Sequence, residues 1–148
     1  MIEPVDAREV DGLAERAIAF AGRALEGRVD KAGQPRWHHC MRVAASLHID
    51  DERAVGALHD VIEDSGVSLL TLRDHFPERI VDAVLVLTRV DGQPPDLYYA
   101  RIRANPLALA VKLADLYDNL DPRRLALLDP STAQRLRRKY ANALLALA

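Results

Sequence analysis

Residues 57–64 of this 148-residue chain read Ala-Leu-His-Asp-Val-Ile-Glu-Asp, a His-Asp pair and a Glu-Asp pair separated by two apolar residues. On a continuous α-helix, side chains four positions apart are neighbours, so His59 adjoins Glu63 and Asp60 adjoins Asp64. At about 100° per residue, alanine, leucine, valine and isoleucine fill the opposite side of the helix. We therefore predict one amphipathic helix, with a core-facing side and a side that carries an imidazole and three carboxylates.

The same helical wheel makes predictions about two further positions. It puts Gly56 in the middle of the polar side, where the missing side chain is predicted to leave room for an ion or a substrate. It puts Glu63 between His59 and Asp60. Three crowded carboxylates are costly unless water screens them or a cation lies among them. A solvated acidic helix face and a cation site are therefore the two interpretations of this pattern.

Composition is that of a globular domain, with 49% hydrophobic residues and a formal net charge of −2. This charge predicts no general attraction to DNA, RNA or anionic membranes. No apolar run approaches the length of a membrane span, and the acidic start Met1–Pro4 does not resemble a signal peptide. The single cysteine, Cys40, cannot form an internal disulfide. We therefore expect a cytoplasmic protein with one domain over residues 1–148 and no membrane partner.

Helical periodicity recurs along the chain, whereas alternating strand patterns are almost absent, so we predict an all-α domain of seven or eight helices. The helix after Asn105-Pro106 is expected to run to about Asn119 and to end at Asp121-Pro122. Residues predicted to cap or open the other helices are Pro35, Asp50, Ser68, Pro77 and Ser131.

Three segments supply side chains that commonly bind metal ions. These are His39 in the second predicted helix, the His59-Asp60 pair, and Asp115 in an apolar run. Two imidazoles and two carboxylates suit a divalent ion that accepts both nitrogen and oxygen donors, and manganese fits this set best. A carboxylate within apolar sequence is costly to bury unless it is paired or metal-bound. Exposure near a helix end is the alternative interpretation of Asp115.

These motifs resemble the HD phosphohydrolase superfamily. The finer resemblance is to the hydrolase domain of the RelA/SpoT group and its stand-alone relatives, the small alarmone hydrolases. It extends from about residue 28 to residue 119 and implies an HD-type helical bundle. The segments that carry it are the loop 31–35 followed by His39, residues 58–64 with the HDxxED signature, and residues 111–115 followed by Asn119.

The resemblance also implies roles for individual residues. It implies that one manganese ion is bound by His39, His59, Asp60 and Asp115. Glu63 and Asp64 would then position and deprotonate a water that attacks the 3′-pyrophosphate of (p)ppGpp. Lys31 would contact phosphate or base, and Asn119 would hydrogen-bond the nucleoside. The expected partner is thus a small nucleotide.

The chain departs from the family pattern at four places. Asp30 stands where the family usually has a basic residue, often an arginine that stacks on guanine, and Cys40 stands where proline is usual. Residues 114–119 read Ala-Asp-Leu-Tyr-Asp-Asn rather than ADRLHN, and Pro122 replaces a small hydroxyl residue. These departures fall on the nucleotide-recognition side. Action on a different phosphorylated nucleotide therefore stays open. A non-catalytic nucleotide-sensing module is a second alternative, and the presence of Glu63 and Asp64 argues against it.

Two groups of cations lie near the end of the chain. The cluster Arg135, Arg137, Arg138 and Lys139 is expected to be a solvated helix face, with approach to a polyphosphate as the alternative. Arg123 and Arg124 directly follow the Asp115 helix and are better placed to meet phosphate.

Overall fold

The computed structural model describes residues 12–148, which form ten helices. The all-α prediction is confirmed. Residues 1–11 of the predicted 1–148 domain lie outside the described part of the chain. The helices are α1 (Leu13–Ala24), α2 (Arg36–Ala45), α3 (Asp50–Leu58), α4 (Val61–Ser65), α5 (Leu69–His75), α6 (Glu78–Leu87), α7 (Pro95–Arg103), α8 (Pro106–Asn119), α9 (Pro122–Leu125) and α10 (Pro130–Leu147).

Helix α3 lies at the centre of the bundle and packs against α1, α2, α6 and α8. Residues 54–58 in its second half are all buried, so the helix is enclosed on every side there. Because α2 and α8 both contact α3 and each other, the carboxyl end of α3 is brought to the same place as two further helices. This junction holds the residues singled out from the sequence.

The predicted continuous helix through residues 57–64 is interrupted. Helix α3 ends at Leu58, His59 and Asp60 form a turn, and α4 begins at Val61. Asp60 has φ −104° and ψ −1°, which displaces the backbone from regular helical values. The ring Nδ1 of His59 lies 2.6 Å from the carbonyl oxygen of Gly56. At this helix end the imidazole therefore serves as the hydrogen-bond partner that a backbone N–H would be in a continuous helix. This break is one of two reasons for the larger number of helices.

The prediction that Gly56 leaves room for an ion or a substrate is wrong. A Cβ at this position would lie 3.3 Å from the backbone N and Cα of Ala44 and from a methyl group of Val43. Gly56 therefore allows α2 and α3 to approach closely, and it leaves no space for an ion or a substrate.

Several predicted caps are present, and others are shifted by one or two residues. The side chains of Ser68 and Asn105 accept hydrogen bonds from the backbone N–H groups of Thr71 and Ala108. Asp50 is the first residue of α3 rather than its cap, and Asp129 rather than Ser131 caps α10. Asp121 does not simply follow the end of α8, because it caps the short helix α9 that begins at Pro122. Helix α9 is the second unpredicted element.

The core has two parts. The larger one surrounds α3 and includes side chains from α1 to α8 and from the end of α10. A smaller cluster of Leu125, Ala133 and Leu136 joins α9 to α10, with Leu128 and Tyr140 packed against it. None of the described helices is both long and apolar enough to cross a membrane.

Candidate active site

Four side chains from three parts of the chain meet where α3 ends. Nε2 of His39 on α2 lies 2.8 Å from Oδ1 of Asp115 on α8 and 3.8 Å from Oδ2 of Asp60. Nε2 of His59 lies 3.3 Å from each of these carboxylates. His39, His59 and Asp115 are only 8%, 4% and 6% exposed, respectively. The alternative interpretation, in which Asp115 is exposed near a helix end, is therefore wrong.

The orientation of the two imidazoles is fixed by acceptors behind them. Nδ1 of His39 lies 2.6 Å from Oδ2 of Asp118, and Nδ1 of His59 lies 2.6 Å from the Gly56 carbonyl oxygen. Since an ionised carboxylate and a carbonyl only accept hydrogen bonds, each Nδ1 is the donor. In the neutral ring, Nε2 therefore carries the lone pair and faces the other site residues.

One atom of this group has no hydrogen-bond partner. Nε2 of His59 is buried and makes no hydrogen bond within the described residues, although two carboxylate oxygens lie nearby. Leaving a buried polar atom unpaired is costly, whereas a shared ion would satisfy it together with its neighbours. Two nitrogen and two oxygen donors also match the ligand preferences of divalent ions such as manganese and iron. The residues present thus fit a divalent metal ion held by His39, His59, Asp60 and Asp115.

Neighbouring charges shift the pKa values of His59 and Asp115 in opposite directions. Burial would lower the pKa of His59, but the carboxylates of Asp60 and Asp115 outweigh burial and raise it to about 9. Burial would raise the pKa of Asp115, but His39, His59 and Lys112 hold it well below its usual range. Nζ of Lys112 lies 3.0 Å from Oδ2 of Asp115. Asp115 is therefore an anion that the surrounding groups keep ionised.

Asp118, to which the sequence analysis gives no role, is paired with three basic side chains beside the site. Besides His39, it accepts hydrogen bonds from Nε of Arg42 at 2.9 Å and from a terminal nitrogen of Arg124 at 2.8 Å. Burial alone would raise the pKa of Asp118, but His39, Arg42 and Arg124 lower it to about 2. The spacing of residues 115, 118 and 119 on one helix places them on one face, and this pattern was the available signal.

Glu63 and Asp64 lie on α4, just beyond the break, and both line a cleft that reaches the four donor residues. Glu63 accepts a hydrogen bond from the backbone N–H of Arg89, and Asp64 forms an ion pair with Arg36 at 3.0 Å. Burial and the neighbouring Asp60 carboxylate raise the pKa of both side chains. A carboxylate with a raised pKa is a stronger base, which suits proton abstraction near neutral pH.

The cleft has a volume of about 510 Å³ and two kinds of wall. Residues Leu125, Leu128, Leu136 and Tyr140 form an apolar side, while charged residues cover most of the remainder. Lys31 and Asn119 both line it. The Asn119 amide donates to Asp115 Oδ1 at 3.1 Å and its oxygen accepts from Arg124 at 3.0 Å, so this side chain belongs to the network around the donor residues.

Asp30 organises the loop that contains Lys31. Its Oδ1 accepts hydrogen bonds from the backbone N–H groups of Ala32 and Gln34, each at 2.9 Å. Its Oδ2 lies 3.5 Å from Arg124. Asp30 thus holds the loop closed and ties it to the cleft, and it does not present a flat cationic group for stacking on a base.

Cys40 is buried beside the four donor residues. Its sulfur lies near donor atoms of His59 and Asp60. Burial raises the pKa of the Cys40 thiol, and the carboxylates of Asp60 and Asp115 raise it further. The side chain is 1% exposed and belongs to the main core, where a thiol packs as a small apolar group.

The chain is similar in sequence to two known proteins. No family model matches the chain. The chain is 28% identical over 149 aligned positions to a probable GTP pyrophosphokinase of Mycobacterium leprae, covering 92% of this chain and 19% of that protein. It is 29% identical over 118 positions to a guanosine-3′,5′-bis(diphosphate) 3′-pyrophosphohydrolase of Aquifex aeolicus, covering 72% and 17%. The chain thus spans less than a fifth of the length of these relatives.

A solved structure shares the fold. It is described as a metazoan ortholog of SpoT that hydrolyses ppGpp and plays a role in starvation responses. It superposes with a TM-score of 0.69 at 20% identity and covers 99% of this chain and 86% of its own. The resemblance to the RelA/SpoT-type hydrolase domain that the three motifs indicated is therefore confirmed in sequence and in fold.

Proposed function

We propose that the protein is a manganese-dependent nucleotide phosphohydrolase that removes pyrophosphate from the 3′ position of (p)ppGpp. The observation that carries this proposal is the convergence of two imidazole nitrogens and two carboxylates at a cleft that also contains Glu63 and Asp64. The names of the similar proteins, a ppGpp 3′-pyrophosphohydrolase and a SpoT ortholog that hydrolyses ppGpp, support the choice of substrate.

The proposed reaction is hydrolysis of the bond between phosphorus and the 3′ oxygen. The ion held by His39, His59, Asp60 and Asp115 would supply positive charge that lowers the pKa of water and stabilises the phosphoryl oxygens. Glu63 accepts one proton from the attacking water, and the remaining hydroxide adds to the phosphorus. The P–O bond to the sugar then breaks, the 3′ oxygen takes up the proton that Glu63 had accepted, and pyrophosphate leaves.

Two contacts adapt this chain to the proposed step. The backbone N–H of Arg89 donates a hydrogen bond to one carboxylate oxygen of Glu63. This contact fixes the orientation of the whole carboxylate group. Arg36 holds Asp64 in place through an ion pair. The fixed carboxylate of Asp64 then orients the attacking water through a hydrogen bond. Both carboxylates lie on α4, whose start is set by the turn at His59 and Asp60. The break in the helix therefore separates the residues that hold the ion from those that act on water.

The test is pyrophosphate release from ppGpp by purified protein, with manganese or with chelator. We expect release that needs manganese, that is lost in Asp115→Asn, and that falls by about 100-fold or more in Glu63→Gln. Asp82→Asn is the matched control, because Asp82 is exposed on α6 and does not line the cleft.

Two results would contradict the proposal. Equal turnover of ppGpp and of nucleotides without a 3′-pyrophosphate would favour a different phosphorylated substrate. Manganese binding with no turnover of any nucleotide in a panel would favour the sensing module.

A further inference from the structure

The adjacent arginines of α9, Arg123 and Arg124, differ in their surroundings. The side chain of Arg123 is 92% exposed, pairs with Asp121 and does not line the cleft. The side chain of Arg124 is only 25% exposed and lines the cleft. Of these two cations, it is therefore Arg124 that reaches the candidate active site.

The short helix α9 holds the backbone of Arg124 in a fixed place. Asp121 caps this helix, and Pro122 is its first residue. Leu125, which directly follows Arg124, is 4% exposed and lies in the smaller core cluster. A buried neighbour anchors the chain at this point, so the side chain of Arg124 extends toward the cleft from a rigid base.

The guanidinium group of Arg124 connects two separate parts of the chain. Nη1 donates to Oδ2 of Asp118 at 2.8 Å and to Oδ1 of Asn119 at 3.0 Å, both on α8. Nη2 lies 3.5 Å from Oδ2 of Asp30, in the loop before α2. A planar guanidinium with five N–H donors is suited to binding two carboxylates at once, whereas an ammonium group is a single point of charge. Arg124 therefore joins α8 to the loop.

On α8, both partners of Arg124 contact residues of the proposed metal site. Asp118 accepts a hydrogen bond from Nδ1 of His39, and Asn119 donates one to Oδ1 of Asp115. Removing a cation from a largely buried carboxylate leaves its charge uncompensated. Without Arg124, Asp118 and Asn119 would be held less firmly, and the two metal-binding side chains that they orient would be affected in turn.

In the loop, the partner of Arg124 supports a residue that is predicted to contact the substrate. Asp30 accepts hydrogen bonds from the backbone N–H groups of Ala32 and Gln34, each at 2.9 Å. These bonds shape the loop around Lys31, which lines the cleft. The ion pair between Asp30 and Arg124 thus fixes the position of Lys31 relative to the metal donors.

We propose that Arg124 is a positioning residue that sets the geometry of the metal donors and of the substrate loop together. This inference rests on the proposed function, in which an ion and a phosphorylated nucleotide meet in the cleft. Two carboxylates, those of Asp30 and Asp118, already neutralise the charge of Arg124. It therefore acts through these groups and not as a phosphate ligand. Its loss should weaken metal binding even without nucleotide, an effect that loss of a phosphate ligand would not have.

The experiment compares the parent protein with Arg124→Gln and with the matched control Arg123→Gln, which removes a cation from the neighbouring position. The first measurement is the Kd for manganese, by titration calorimetry without nucleotide. The second is hydrogen exchange of the backbone N–H groups of residues 30–34, by mass spectrometry and also without nucleotide. The third is KM and kcat for ppGpp at saturating manganese.

In Arg124→Gln we expect manganese to bind about five- to tenfold more weakly. The loss should be smaller than for removal of the Asp118 carboxylate itself, because Asp118 keeps Arg42 as a second partner. Residues 30–34 should exchange faster. KM should rise more than kcat falls, because the carboxylates of α4 have other partners.

The two other variants sharpen the test. Arg123→Gln should match the parent protein in all three measurements. Arg124→Lys should give intermediate values, since one ammonium group can pair with Asp118 or with Asp30 but does not bridge them. Arg124→Lys also keeps the charge of the residue, so it is the variant to measure if Arg124→Gln does not fold.

Three results would overturn the inference. Unchanged manganese affinity with a higher KM in Arg124→Gln would make Arg124 a direct phosphate ligand. Equal exchange of residues 30–34 in this variant and the parent would show that the loop is held without it. Effects of equal size in Arg123→Gln would mean that general charge is responsible.

The proposed function can fail separately. Weaker manganese binding and faster loop exchange in Arg124→Gln, without hydrolysis of ppGpp by the parent protein, would refute the proposed reaction and support the positioning role. Manganese-dependent hydrolysis that Arg124→Gln leaves unchanged, together with unchanged metal affinity, would do the reverse.

Discussion

Oδ2 of Asp118 lies 2.6 Å from Nδ1 of His39, on the side of the ring opposite the nitrogen that faces Asp115 and Asp60. A carboxylate in this position selects the tautomer of a metal-binding histidine and makes it a better ligand. Arg42 and Arg124 hold the carboxylate from behind. The sequence motif that carries this residue differs from the family pattern, yet the structure gives the difference a clear physical role.

Asp118→Asn should weaken manganese binding by about 10- to 100-fold, because the amide carries no charge and cannot keep both arginines paired. Titration calorimetry with the metal measures this directly, and Asp82→Asn provides the control for loss of a carboxylate elsewhere. An unchanged Kd in Asp118→Asn would show that His39 is oriented without this contact.

Asp30→Arg should raise the KM for ppGpp and not improve guanine binding, although it restores the residue type common in the family. The substitution removes the acceptor for the backbone N–H groups of Ala32 and Gln34 and repels Arg124. Asp30→Asn keeps an acceptor oxygen for the loop and should have a much smaller effect. Steady-state kinetics on the three proteins separates these effects, and a lower KM in Asp30→Arg would contradict the structural role.

Arg36 and Asp64 should be energetically coupled in catalysis. Arg36→Gln is expected to lower kcat because Asp64 loses the partner that holds it at 3.0 Å. In a double-mutant cycle with Asp64→Asn, the second substitution should add little, giving a coupling of about 0.5–3 kcal/mol in the activation free energy. Strictly additive effects would mean that the ion pair does not position Asp64 for the reaction.

Gly56→Ala should destabilise the fold by about 1–3 kcal/mol, since the added methyl group would lie 3.3 Å from the α2 backbone and would have to push α2 and α3 slightly apart. The control is Gly22→Ala on α1, where a Cβ meets nothing within 4 Å and should raise stability by up to about 1 kcal/mol. Urea unfolding of the metal-free proteins measures both. Equal midpoints for Gly56→Ala and the parent would show that α2 and α3 move apart without cost.

Local capping chemistry made much of the fold predictable. Ser68 and Asn105 act within three residues of themselves, so their role as caps is visible in the sequence. Asp121-Pro122 carries the same signature as Asn105-Pro106, and this pair both follows the end of α8 and starts α9. The helix-starting signal of α9 is therefore visible in the sequence.

The helix break at His59 was not predictable in the same way. The apolar periodicity of residues 54–62 continues through it, and the break depends on a ring-to-carbonyl contact with Gly56 and on enclosure of α3 by four helices. Periodicity also predicts that Gly56 lies on a polar face, because a helical wheel cannot show that a helix is buried on all sides. At both points the pattern led to a wrong prediction, because tertiary packing overrides the local periodicity.

The ion pair between Lys112 and Asp115, one turn apart on α8, has a consequence for the life of the protein. Lys112, Arg36, Arg42 and Arg124 are cations of the chain that neutralise the carboxylates of Asp115, Asp64 and Asp118. We therefore expect the newly made chain to reach its native state before it meets any ion. The supply of metal in the cell would then set how much of the existing protein is active, and not how much of it accumulates.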